Sequence, residues 1–246
     1  MKKILLFLII LSTIFNACTK TFDCITGAGD DVEYTFALQD FDTLKVNDVF
    51  DIELIQDTVN ELKVFAKQKY ADNLTYSTAD NILTLDNAGN CKFTKPESSK
   101  IKIKLRVKKI SRIKLNAASC IFSDDTLYNP DEIGLIANSK FNDVRLKVNC
   151  RVFYYWNTHL NGGKTTVEGK SAYLKLWNVS LAAVDAGNLI SDDVYVENDS
   201  KGDIYVFARK ILNCTVTGTG NVYYKGNPST IIVEDTVSSG KLIKID

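Results

Sequence analysis

Apolar and polar positions alternate along most of this chain. The runs Leu44–Val46, Phe50–Leu54, Leu62–Phe65, Ile82–Leu85 and Ile101–Val107 place an apolar side chain at nearly every second position. Each run ends in or beside Asp, Asn, Gly or Ser. A two-residue period in β-branched and aliphatic residues, bounded by turn formers, predicts strands with one buried face. Helical spacing is nearly absent, and the pattern predicts one short helical turn around Ala66 to Asn73.

In the second half an apolar pair or triplet, a small polar turn and an apolar landing residue recur. The landing residues Ile121, Phe141, Leu160, Leu181, Ile204 and Val222 return about every 20 residues. The turns before them include Ala118–Cys120, Asn138–Lys140, Asn157–His159, Asn178–Ser180 and Gly218–Asn221. A period of this length without a helix predicts a β-solenoid whose rungs pair in parallel at about 4.8 Å. The fold class expected is all-β, with right-handed parallel β-solenoid-like repeats over residues 111–246. Residues 33–110 are expected to form a β-rich part, solenoid or antiparallel sandwich, since Leu44, Leu62, Ile82 and Ile103 only hint at the same period. The six landing residues should stack in one inward column, and Phe141→Asp should unfold the protein.

The first residues differ from the rest. Lys2 and Lys3 precede the unbroken apolar run Ile4–Leu11, which is too short to span a bilayer as a helix. A basic start, a short apolar stretch and Phe15–Ala17 before Cys18 predict a secretory signal over residues 1–17. The residues before Cys18 resemble a bacterial lipobox, which implies a lipid on Cys18. Residues 18–32, rich in Gly, Asp and Thr, are expected to form a tether. The expected location is the outer membrane, with the N-terminal lipid as the membrane contact and the periplasmic or surface face undecided. The segment after Cys18 lacks an acidic run, which leans toward the periplasm.

Thirty basic and 30 acidic residues give a net charge of zero. Without a basic block, nucleic acid is not an expected partner. The basic residues of Lys100–Lys114 alternate with Ile, Leu and Val, as on the wet face of a strand. One histidine and no Cys-x-x-Cys pattern leave few zinc ligands, so neither metal nor cofactor is expected.

Catalytic signals are equally sparse. His159 stands alone in a turn, Gly162–Lys164 opens no helix, and the pairs Asp30–Asp31, Asp124–Asp125 and Asp192–Asp193 fit turns. Four residues beyond the landing positions come Asp125, Arg145, Lys164 and Asp185, whose signs suggest charge pairing between rungs. The chain is therefore expected to be non-enzymatic. A structural spacer and a polysaccharide-processing β-helix enzyme are the alternatives to a role in adhesion or in glycan or protein binding. Trp156, Trp177 and Tyr155 are the binding candidates. The tryptophans lie four residues before Leu160 and Leu181, so they should share a position on adjacent rungs. Alternation leaves their direction open and leans toward inward or mixed. The triplets Asp42–Leu44, Asp57–Val59, Asp125–Leu127 and Asp235–Val237 are similar to an O-glycosylation acceptor of exported Bacteroidetes proteins, although strand-edge threonines explain them as well.

Three segments carry a wider resemblance: Phe41–Asp57 continuing to Leu62–Ala66, Asp80–Leu85 leading into Gly89–Cys91, and Gly218–Pro228 closing with Ser238–Leu242. With them the chain resembles the putative auto-transporter adhesin head, or GIN, domain, a family common among Bacteroidetes lipoproteins. The resemblance covers about residues 33–246 and implies a cell-envelope protein. Cys24 and Cys91 sit in turn-like segments, and the resemblance implies a disulfide between them. Cys120, Cys150 and Cys214 are expected to be buried single thiols.

Overall fold

The computed structural model describes residues 27–89, 100–139, 141–157, 162–234 and 238–246. It is all-β apart from one helical turn, α1 (Gln68–Ala71), where the sequence predicts it. In chain order the first strands are β1 (Asp31–Ala37), β2 (Thr43–Val46), β3 (Phe50–Gln56), β4 (Glu61–Lys67), β5 (Leu74–Ala79), β6 (Ile82–Asn87), β7 (Ile101–Val107) and β8 (Arg112–Leu115). Long strands follow: β9 (Cys120–Ala137), β10 (Phe141–Trp156), β11 (Gly162–Ser180), β12 (Ala183–Ser200) and β13 (Ile204–Val216). Short β14 (Val222–Lys225), β15 (Thr230–Glu234) and β16 (Leu242–Lys244) close the chain.

These strands form one 16-stranded sheet wound into a solenoid of about six turns in the second half. From β9 to β13 each strand pairs in parallel with the next. Apolar columns therefore run along the axis. One passes through Ile52, Ile121, Val144, Thr165, Val184, Ile204 and Val222, all of them buried. A second joins Leu44, Ile113, Leu135, Tyr155, Leu176, Val196 and Cys214.

Of the expected landing column, Ile121, Ile204 and Val222 hold their places, while Leu160 lies outside the described residues. Phe141 and Leu181 do not belong to it: they are 65% and 57% exposed, and the inward residues are Val144 and Val184, three positions later. Phe141 opens β10 on its outward parity, and Leu181 lies in the turn between β11 and β12. Alternation also breaks at a corner within β10. In β10 the buried series Val144, Leu146, Val148, Cys150 resumes at Phe153 and Tyr155, on the opposite parity. A register shift against β9 falls between Cys150 and Val152. With this register Asp125, Arg145, Lys164 and Asp185 do not stack as charge pairs. Arg145 lies over Phe122, Lys164 beside Asp143, and Asp185 beside Thr166.

The first half joins the same sheet. The strands β2 and β3 are flanked in parallel by β6 and β7 on one side and by β8 and β9 on the other. Antiparallel β4 and β5 then cover β7 and β6, and β1 covers β4. Along β7, Ile101, Ile103, Leu105 and Val107 face in while the lysines face water.

Polar turns are satisfied by stacking. Asn157, Asn178 and Asn198 are buried, and the Asn157 amide donates to Asn178 Oδ1 at 3.2 Å. Asn178 donates to Ala182 O at 2.7 Å, and Asn198 to Gly220 O at 3.1 Å. Each amide thus pairs the backbone of a turn that would otherwise be buried unsatisfied.

Candidate functional site

The outward face of the wall formed by β8 to β12 carries the aromatic candidates. Trp156 and Trp177 are register partners on β10 and β11. Their strand neighbours Tyr155 and Leu176 face the core, so both indoles face outward. Trp156 is 48% exposed and Trp177 is half-buried. The ring of Trp177 tilts against Tyr195, with centroids 5.9 Å apart. The sequence pattern leaned toward an inward or mixed pair. The corner between Cys150 and Phe153 flips the parity that suggested it.

Tyr155 is not part of this surface. It is 2% exposed in the core, where burial pushes its hydroxyl up to about 12. Its place in the outward-facing row is taken by Tyr154. The Tyr154 ring lies flat over Gly134, its register partner, where a Cβ would come within 1.9 Å of the ring. Only glycine leaves room for that ring. The Tyr154 hydroxyl accepts a hydrogen bond from Arg112 Nε at 2.6 Å, and Arg112 also holds Glu132 at 3.1 Å.

Two outward ladders therefore run side by side. One reads Lys114, Ile136, Trp156, Trp177, Glu197; the other Arg112, Gly134, Tyr154, Lys175, Tyr195. Between them lies an open cleft of about 420 Å³ lined by both tryptophans, Tyr154, Arg112, Lys114 and Lys175. Tyr195 donates to Glu197, and that hydrogen bond, then burial and the negative charge, push the phenol up to about 12. Sequence reasoning found the tryptophans but missed Tyr154, Arg112, Lys114 and Lys175. They become visible only when the rungs are superposed in the true register.

Other candidates are structural or lie elsewhere. Cys18, Cys24, Cys91 and His159 lie outside the described residues. Cys150 and Cys214 are buried free thiols, each pushed up to about 12 by burial, and Cys120 is a half-buried free thiol. Gly162 opens strand β11, not a helix. Asp192 is engaged by Arg209 and Lys210 at 3.3 and 2.8 Å. Of the Asp-Thr triplets, Thr43 is buried, whereas Thr58 is exposed.

The chain is thus a β-solenoid with aromatic residues along one outer wall. The family model described as "putative auto-transporter adhesin, head GIN domain" matches residues 40–228, and the chain belongs to that family. The fold is similar to a solved putative adhesin of Bacteroides fragilis at 17% identity and a TM-score of 0.76, covering 88% of this chain and 97% of that one. A putative adhesin and a putative lipid binding protein, both of Parabacteroides distasonis, are similar at 18% and 15% identity. Their TM-scores are 0.60 and 0.62; they cover 88% and 89% of this chain, and 98% of each relative is matched. No curated protein matches the sequence.

Proposed function

We propose that this protein is a lipid-anchored, non-catalytic adhesin of the cell envelope that binds a glycan or a surface protein through the wall bearing Trp156 and Trp177. The observation that carries the reading is the outward aromatic pair at one register position, rigidly mounted on adjacent rungs. Flat, water-exposed indoles cost free energy unless they serve contact, and they stack well on sugar rings or apolar patches. The carboxylates beside them are tied to Arg112 and Tyr195, which favours binding over acid–base chemistry. Membership of an adhesin-like family supports a place in the envelope. No helix of the described residues is long and apolar enough to cross a membrane, and a lipid on Cys18 would supply the outer-membrane anchor.

Binding is tested on a glycan array with the intact protein and with Trp156→Ala and Trp177→Ala. Loss of signal at unchanged melting temperature is expected; retained signal in both variants overturns the platform. Anchoring is tested by intact mass of detergent-extracted protein. An acylated form beginning at Cys18 is expected, and an unlipidated form refutes the anchor.

A further inference from the structure

The ladder that carries the tryptophans begins with two lysines. Lys45 and Lys114 are register partners on β2 and β8, one directly beside the other, and Lys114 continues through Ile136 to Trp156. Like charges placed opposite each other across a strand pair repel. Lys175 lies diagonal to Trp156: it is beside Tyr154 in register and two residues before Trp177. None of these three lysines forms an ion pair with a described residue, whereas the other basic group lining the cleft, Arg112, is paired with Glu132. Glu132, which faces the cleft, is already bound by Arg112. The cleft thus sets unneutralised ammonium groups around an aromatic surface.

We propose that the occupant of this wall is an acidic polysaccharide, with sugar rings on Trp156 and Trp177 and carboxylate or sulfate groups on Lys114 and Lys175. This rests on the platform reading above and adds the charge of the ligand. A polymer suits the geometry because the rungs repeat at about 4.8 Å, close to the length of one pyranose. Lys45 and Lys114 can then meet a further acidic residue of the same strand of sugar. A bound anion relieves their mutual repulsion, which is charge complementarity of the kind that sets specificity.

The test uses the full processed chain in detergent and isothermal titration. The probes are hexamers of galacturonan, alginate and chondroitin sulfate, with cellohexaose and mannohexaose as neutral counterparts. At least one acidic hexamer should bind more tightly than the neutral ones, and more weakly as salt rises. The double variant Lys114→Gln with Lys175→Gln should lose about tenfold in affinity, two exposed charge contacts being worth about that much. Lys114→Arg with Lys175→Arg should retain it. Equal binding of acidic and neutral hexamers, lost in Trp156→Ala but not in the double Gln variant, overturns the acidic ligand and leaves the platform standing. No binding of any hexamer overturns the saccharide, and hexamer binding indifferent to Trp156→Ala overturns both. Tighter, lysine-dependent binding of poly-glutamate or of phosphatidylglycerol vesicles overturns the saccharide.

Discussion

The first third of the molecule and the later rungs solve the same stacking problem with different chemistry. Around β1, β4 and β7 the neighbours are antiparallel, and the outer face is held by close ion pairs. Lys63 meets Glu33 at 2.6 Å, Lys67 meets Asp31 at 2.9 Å, and Arg106 meets Glu61 at 3.3 Å. From β9 onward the rungs are parallel copies of one another, and interior ladders dominate: Asn157–Asn178–Asn198, and Ser171 hydroxyl-bonded to Ser191 at 2.8 Å. Parallel repeats bring similar residues together. An amide can donate to one neighbour and accept from the other, so identical amides cooperate, whereas identical charges repel. Antiparallel strands of unlike sequence can instead match opposite charges. Like-charged register partners occur in both regions: Lys63 beside Lys104, each held by its own carboxylate, and Lys45 beside Lys114, where the ladder of the wall proposed to bind begins.

The comparison is broken most severely in the central column. Val144→Asp should abolish folding, because a fully buried, unpaired charge costs more than about 4 kcal/mol, as circular dichroism melts would show. Phe141→Asp and Leu181→Asp, on exposed positions, should stay within about 0.5 kcal/mol of the parent. Unfolding by Phe141→Asp would reinstate the landing register and refute the one described.

Next in size is the amide ladder. Asn178→Ala strands partners on Asn157 and Ala182 and should cost about 1–3 kcal/mol in denaturant titrations. Asn116→Ala should cost less. Its ladder, from Asn138 at 3.1 Å to Asn47 at 2.8 Å, is exposed and water can replace it. Equal losses would mean that burial is not what makes the inner ladder matter. Gly134→Ala should push the Tyr154 ring off the wall at about 1–3 kcal/mol and weaken any ligand that Trp156→Ala weakens.

Smaller effects concern titration. The Asp57 carboxyl is held below its usual range, first by the Thr58 N–H and then by Arg106. A depressed folded value means that its contribution is present above the unfolded value and fades as pH falls through the folded one. Asp57→Asn should therefore lower the melting temperature slightly at neutral pH and leave it nearly unchanged below the folded value, which flattens the acid limb of the pH profile. Cys150 and Cys214, raised to about 12, should resist iodoacetamide at neutral pH, while half-buried Cys120 reacts first in peptide maps.

Much of the fold was legible in the residues. Strands over 44–46, 50–54, 62–65, 82–85 and 101–107, the helical turn near Gln68, the solenoid repeat and the common rung position of the two tryptophans all follow from local pattern. Two strands, β1 and β5, escaped because one side of each is an exposed edge and their apolar signal is weak. The fate of Tyr155 was hidden too. It sits between two aromatic residues of opposite direction, and nothing local says where the corner reverses the alternation.

The sequence by itself determined the class of structure, because alternation, turn residues and a period near 20 residues are short-range properties that each rung expresses alone. It also determined which amides recur at the turns. Only the tertiary structure decided the register, since corner bulges add or skip residues without leaving a mark in the period. Register in turn decided that Val144 and not Phe141 is core, that both tryptophans face water, and that Lys114 and Lys175 line a cleft with them. Those residues are separated by whole rungs along the chain and become neighbours only when the rungs are stacked.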